Sequence, residues 1–321
     1  MALDPEISGM LDRLARAQAA QQDEVTLDGS RRSYRDQYRE MSRPPEKPVE
    51  ENTVRLGTGR GDVSLHLYSP AGVAADPLPV ILYLHGGGFV LGDAATYALQ
   101  SARIALECGA LVVFVEYRLA PEHPFPAAVE DALAAVDWVL ARAADHGGDP
   151  ACFSLMGDSA GANLSIALMR HYRQQRLFRA VCLLYPLVDA RPYLGLVSPS
   201  GSDREFATGY YLEFAETEYF AKAYLPDPAM ATDTRVSPVL ATDLDGLPPV
   251  LFYAAENDVL CDQGRAFAEQ LKAAGNDVRY RCFDGLIHNF MQHAGISKAS
   301  DAAFREVCAA VQLALKGKDL R

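Results

Sequence analysis

The chain has no apolar run that approaches the roughly 18–20 residues a membrane span needs, so stable membrane association is not expected. Positive charge is scarce. Thirty Lys and Arg stand against 42 Asp and Glu, for a net charge of -12. Such a surface repels phosphate backbones and anionic headgroups, and no basic run offsets it, so nucleic acid is excluded as an expected partner. Cysteine is sparse too. Cys108, Cys152, Cys182, Cys261, Cys282 and Cys308 form no Cys-x-x-Cys pair, and several sit in apolar runs such as ACFSLMG and AVCLLYP. They read as buried free thiols in a reducing compartment. The first ten residues, MALDPEISGM, carry early acids and no apolar h-region, so a secretory signal is not expected. The cytoplasm is the expected location. Internal repeats and low-complexity tracts are also missing.

What is present is a long alternation. The 321 residues are 49% hydrophobic, enough for a large core. Residues 1–20 show helical spacing at Ile7, Met10, Leu11, Leu14 and Ala15. Residues 21–48 are polar and end in RPPEKP, which breaks any helix. Two strands are expected at 50–57 and 62–69. The GTGRGD between them reads as a hairpin turn, since its glycines lack dinucleotide-binding spacing and no helix follows. Further strands are expected at 79–85, 110–117, 152–157, 180–186, 249–256 and 278–283. Helices are expected at 94–108, 126–144, 160–173, 262–274 and 300–315. Near-continuous apolar strands alternating with amphipathic helices predict an α/β fold with a mostly parallel central sheet covered by helices on both faces. Functional residues then belong beyond the carboxyl ends of the strands. Residues 187–248 hold no convincing strand. An interruption of that length predicts a lid. The expected organisation is an N-terminal cap segment, 1–48, and a main domain, 49–321, with a cap insertion at about 187–248.

Two glycine motifs carry chemistry. Gly157-Asp158-Ser159-Ala160-Gly161 follows one apolar strand and opens a helix, as a nucleophile elbow does. A sharp turn there demands small neighbours, and the helix N-terminus favours developing negative charge. His85-Gly86-Gly87-Gly88-Phe89 follows another strand directly. Acyl transfer needs backbone N–H groups aimed at an oxyanion, and glycines expose them. Gly86 and Gly87, with Ala160, are the expected donors.

A nucleophilic serine needs a base, and the base an orienting acid, in the chain order Ser, acid, His for this kind of fold. His288, in FDGLIHNF just past the last strand, is favoured over His293. Asp258 follows strand 249–256. Asp262 at the helix start reads as an N-cap, and Glu256 as still in the strand. A metal pair from His288 and His293 is not expected, because no carboxylate or cysteine cluster accompanies them. Arg118 and Glu122 in EYRLAPEHPFPAA either brace the loops near the elbow or form plain salt bridges. The aromatics Tyr210, Tyr211, Phe214, Tyr219, Phe220 and Tyr224 either line a substrate pocket or pack within the cap. Phe89, Tyr210, Tyr211 and Phe214 are the pocket candidates.

In this order, HGGGF, YRLAPEHPFPAA, GDSAG, ENDVLCDQG and GLIHNF closely resemble the bacterial hormone-sensitive-lipase-like esterases, over roughly residues 50–315. The resemblance implies an α/β-hydrolase fold with a helical cap. It also implies hydrolysis of short- to medium-chain acyl esters, with Ser159 as nucleophile, Asp258 and His288 as partners, and no metal or organic cofactor. Homodimers are common in that family. Two departures stand out. Asp258-Val259-Leu260 lacks the proline many members carry at the acid turn, and LGLVSPSGSDREFATGYYL matches no one substrate. The rival expectations are an amidase or arylformamidase on the same triad, and a non-catalytic small-molecule receptor. Receptors resembling this family lack the histidine that His288 supplies.

Overall fold

The computed structural model describes residues 2–20, 26–57, 61–72, 76–199 and 201–317. Eight strands build one sheet: β1 (Val49–Gly57), β2 (Asp62–Pro70), β3 (Leu78–Leu84), β4 (Leu111–Glu116), β5 (Gly148–Asp158), β6 (Val181–Leu184), β7 (Val250–Asn257) and β8 (Val278–Ile287). Their order is β1-β2-β4-β3-β5-β6-β7-β8. The β1–β2 and β2–β4 pairings are antiparallel and the other five are parallel. β1 and β2 stay in register to Gly57↔Asp62. Residues 58–60 of the expected hairpin turn lie outside the described residues.

The parallel strands are apolar on both faces because both faces are covered. Along β3, Val80, Leu82 and Leu84 enter one core, while Ile81 and Tyr83 enter the other. α3 (Ala94–Cys108) and α9 (Lys298–Leu315) cover the second face. α4 (Ala127–Arg142), α5 (Ala160–His171) and α8 (Cys261–Ala273) cover the first. The ends of α3 follow local chemistry. Asp93 accepts from the Thr96 amide at 2.7 Å as its N-cap, satisfying an amide that the first turn leaves free. Gly109, at φ 63°, ends the helix in the left-handed region, where glycine carries no Cβ penalty. Asp262 does not cap α8. That helix starts at Cys261, and the Asp262 carboxylate accepts from the Ser202 amide and from Arg265 instead.

The register sets up the site. Leu84 of β3 lies opposite Gly157 of β5, so the His85–Phe89 loop leaves the sheet beside Ser159. Asn257 of β7 lies opposite Ile287 of β8, so Asp258 and His288 step off adjacent strand ends together.

Two parts of the chain lie off the sheet. The first holds α1 (Pro5–Ala20) and α2 (Leu27–Met41). α2 has no counterpart among the expected elements. Its apolar residues are a thin stripe, Leu27, Tyr34, Tyr38 and Met41, in an otherwise polar helix, well short of the usual apolar face. Thr26 caps it by accepting from the Gly29 amide at 3.1 Å. The second part runs between β6 and β7. It contains no strand among its described residues, only α6 (Ser202–Glu205), α7 (Phe214–Tyr224) and short 3-10 turns.

Candidate active site

The carboxyl end of β5 turns into α5 at Ser159, which has φ 51° and ψ -116°. A side chain rarely adopts such a backbone, and surrounding contacts must hold it there. The flanking residues permit the approach. A Cβ on Gly157 would stand 2.5 Å from the Gly161 carbonyl oxygen, and one on Gly161 would overlap the Leu84 carbonyl. The turn therefore projects the Ser159 hydroxyl above the sheet.

His288 Nε2 lies 2.9 Å from Ser159 Oγ, and His288 Nδ1 lies 2.7 Å from Asp258 Oδ2. Asp258 Oδ1 accepts from the Leu260 amide at 2.9 Å, which fixes the carboxylate plane. That turn forms without the proline noted above. The three residues are 8%, 2% and 1% exposed, in the order Ser159, His288, Asp258. Bulk water therefore does not compete for their hydrogen bonds. His293 stands apart. It is fully buried edge-on to Tyr211, with ring centroids 4.9 Å apart. Burial lowers its pKa to about 3, because desolvation disfavours the charged imidazolium. It is a neutral core residue. Glu256 is the last residue but one of β7 and accepts from the Gly285 amide.

One expected oxyanion donor is misassigned. The Gly86 amide does not face the serine. It donates to Asp158 Oδ1 at 3.0 Å and to Tyr97 Oη at 3.1 Å. An amide spent on a buried carboxylate is not free for a substrate. A Cβ at Gly86 would press on that same carboxylate, so the loop and the elbow touch here. The cavity wall instead carries Gly87, Gly88 and Ala160, together with Ser159 and His288. Gly87 and Gly88 have φ 97° and 61°, a stretch that glycine alone enters without strain.

Asp158 was not singled out from sequence, yet it organises this floor. Tyr83 donates to its Oδ1 at 2.7 Å and Tyr97 to its Oδ2 at 3.1 Å, besides the Gly86 amide. Burial raises its pKa to about 6 against the pull of those donors, since an enclosed carboxylate loses its hydration. His85 supports the same loop from below. It stacks on Tyr117 at 4.1 Å, with its ring nearly parallel, and burial lowers its pKa to about 4.

Above the serine opens a cavity of 850 Å³. Binding sites for small ligands span about 300–1,000 Å³, so the cavity has the size of one. Its walls come from α1, α2, the 86–91 loop, residues 209–225 and the 288–289 turn. Of the four pocket candidates, Phe89 and Tyr211 line it. Tyr210 and Phe214 do not. Tyr210 packs edge-on against Phe206, and Phe214 lies tilted against Tyr193, each pair with ring centroids 4.9 Å apart. Phe220 and Tyr224 line the cavity, and Tyr224 stacks on Phe89 at 3.8 Å. Glu122 braces the roof, accepting both ends of the Arg31 guanidinium at 2.7 and 2.8 Å, while Arg118 is held by Asp131. Among the described residues no group of three or more His, Cys, Asp or Glu is placed to hold a metal ion.

A family model described as alpha/beta hydrolase fold matches residues 81–292. Carboxylesterase NlhH of Mycobacterium tuberculosis is 36% identical over 278 residues, covering 84% of this chain and 84% of that protein. Ethyl acetate hydrolase of Pseudomonas putida is 31% identical over 326 residues, covering 97% of this chain and 99% of that one. Among solved structures, ester hydrolase EH1AB1 from the metagenome of Lake Arreo, complexed with a derivative of bipyridine phosphonate, matches with a TM-score of 0.89. That match is 32% identical and covers 97% of this chain and 98% of the other. The chain belongs to the alpha/beta hydrolase fold family. Within it, the chain falls in the hormone-sensitive-lipase-like branch.

Proposed function

We propose that this chain hydrolyses short- to medium-chain acyl esters through an acyl-enzyme on Ser159. The chain is a serine carboxylic ester hydrolase. The observation that carries the mechanism is the unbroken line Asp258–His288–Ser159, at 2.7 and 2.9 Å, opening on the 850 Å³ cavity. His288 Nε2 takes the Ser159 proton as Oγ attacks the ester carbonyl. Asp258 holds the Nδ1–H tautomer and stabilises the imidazolium. The carbonyl oxygen gains its charge against the amides of Gly87, Gly88 and Ala160. His288 then protonates the leaving alcohol. Water, activated by the same nitrogen, breaks the acyl bond and restores Ser159.

Several observations support the rest of the reading. Residues 1–48 and about 187–248 act as one cap over a hydrolase domain, because α1, α2 and α7 supply walls of the cavity. The six cysteines are free, as a reducing cytoplasm would keep them. The substrate is a small ester, and net charge -12 gives nucleic acid no hold. No helix among the described residues is long and apolar enough to cross a membrane.

The test is hydrolysis of p-nitrophenyl esters from acetate to palmitate, beside an anilide of the best acyl group. The wild type should peak at short to medium chains and prefer ester to amide. Ser159→Ala should lose at least about 10⁴-fold in kcat, as removing a triad serine does. Equal rates in both proteins would sink the assignment.

A further inference from the structure

The cavity above Ser159 carries formal charge of one sign. Three carboxylates line it, Asp12, Glu213 and Glu216, and among the described residues no lysine or arginine does. Glu213 is engaged, accepting from the Gly209 amide at 2.9 Å. Glu216, in the first turn of α7, has the backbone amide of Glu213 beside it, and the basic group acting on it is His288. Its charge is felt by Tyr34 of α2 and by Tyr211 across the cavity. Glu216 is exposed, and it lines the cavity that also holds Ser159. Partial desolvation by the surrounding chain raises its pKa to about 7, the direction expected for a carboxylate short of water.

A carboxylate so placed is stabilised by a cation brought in with the substrate. Charges interact more strongly beside the low-dielectric wall of a cavity than in bulk water. The rings of Tyr34, Tyr211, Phe220 and Tyr224 share the lining, and aromatic faces attract ammonium groups as well.

We propose that Glu216 selects substrate by charge, so that the site prefers esters bearing an ammonium group away from the scissile bond over neutral esters of the same shape, and disfavours esters bearing a second carboxylate. This rests on the esterase reading above. It adds which esters enter.

The experiment compares kcat/KM for charge-matched sets. One set varies the alcohol: butyrylthiocholine against its neutral isostere, the 3,3-dimethylbutyl thioester. The other varies the acyl tail: p-nitrophenyl esters of 6-aminohexanoate, heptanoate and adipate. At pH 8 the wild type should favour the cationic member of at least one set about tenfold, and adipate should be the poorest acyl donor. Glu216→Gln should bring that ratio close to one. Glu216→Asp, which keeps the charge, should retain most of it. The ratio should also rise in the wild type between pH 6 and pH 8 as Glu216 ionises. Asp12, Glu213, Tyr34, Tyr211 and Tyr224 are the other titratable groups that line the cavity. A wild-type ratio near one in both sets overturns the proposal while neutral-ester turnover leaves the esterase reading standing. An unchanged ratio in folded Glu216→Gln, checked by its melting temperature, overturns it too. Failure to hydrolyse any of the esters overturns both readings.

Discussion

Ser159 and His288, on the floor of the cavity, and Asp258 behind them are each less than a tenth exposed. The roof is fastened by groups of another kind. Arg31 of α2 pairs with Glu122 through side chains that are 23% and 50% exposed, and Arg35 pairs with Asp93 beside it. Arg31 also donates to the carbonyls of Val90 and Ala120 at 3.0 and 3.1 Å, so α2 is pinned directly onto the segment that follows the glycine loop. Buried bonds hold the floor in one geometry, because breaking them strands polar groups away from water. The roof's ion pairs are partly exposed and add little net energy, because water competes for them, and its buried hold is the set Ile7, Met10, Tyr38 and Met41. The floor is thus suited to fixed chemistry and the roof to admitting substrate.

That difference is sharpest at Asp158. Asp158→Ala would remove the acceptor of the Tyr83 and Tyr97 hydroxyls at once and leave the Gly86 amide with Tyr97 Oη alone. Each stranded hydroxyl costs about 1–3 kcal/mol, so a loss of at least about 2 kcal/mol is expected in denaturant melts. The glycine loop would shift with it, and a misplacement on the order of 1 Å costs about 10²-fold in kcat. Stability and rate both near wild type would show that the loop is held by its own backbone. Asp158→Asn isolates the charge. The folded pKa of about 6 lies above the ordinary 3.8, so the folded state holds the extra proton between those values. The contribution of the neutral carboxyl is complete below about pH 4 and is lost as pH rises through about 6. The melting temperature of wild type relative to Asp158→Asn should therefore fall over that window. A gap independent of pH would contradict the raised pKa.

The same contrast explains what sequence reasoning reached. Each triad residue is announced by a local rule. Ser159 sits where a strand turns into a helix between small residues. Asp258 and His288 each follow the end of a strand, and pairing of Asn257 with Ile287 brings them together. The core strands were legible because burial on both faces leaves unbroken apolar runs. Gly86 was not legible. Its acceptor, Asp158, lies 72 residues away, and only the β3–β5 pairing joins them. α2 escaped because four apolar residues in fifteen give a weak period, and the partners that hold it, Tyr97 for Tyr38 and Val90, Ala120 and Glu122 for Arg31, lie far along the chain. Tyr210 and Tyr211 face differently in an irregular segment, where Tyr211 has φ 77° and no periodicity assigns a side.

For the roof the expected balance is reversed. Arg31→Ala removes the Glu122 pair and both carbonyl contacts, yet stability should fall by no more than about 1 kcal/mol, since the pair is partly exposed. The effect should appear in kcat/KM, about fivefold lower, with most of the change in KM as α2 loosens over the cavity. A change confined to kcat would mean that Arg31 acts on the glycine loop, through Val90, and not on substrate entry.

The smallest effect tests whether roof and floor are joined at all. Tyr34, on the cavity wall, donates to Tyr38 at 2.9 Å, and the Tyr38 and Tyr97 hydroxyls are 2.8 Å apart. Tyr97 donates onward to Asp158, so the proton of Tyr38 points to Tyr97 and the hydroxyls form one directed chain. Tyr38→Phe keeps the ring and removes the middle link. It should cost about 1 kcal/mol of stability, with a two- to threefold loss of kcat. Tyr97→Phe, which touches Asp158 and the Gly86 amide directly, should cost more in both. If the two variants lower stability alike and only Tyr97→Phe slows the reaction, the hydroxyls of α2 anchor the roof without reaching the chemistry. If Tyr38→Phe also slows it, the position of α2 is transmitted through Asp158 to the loop beside Ser159.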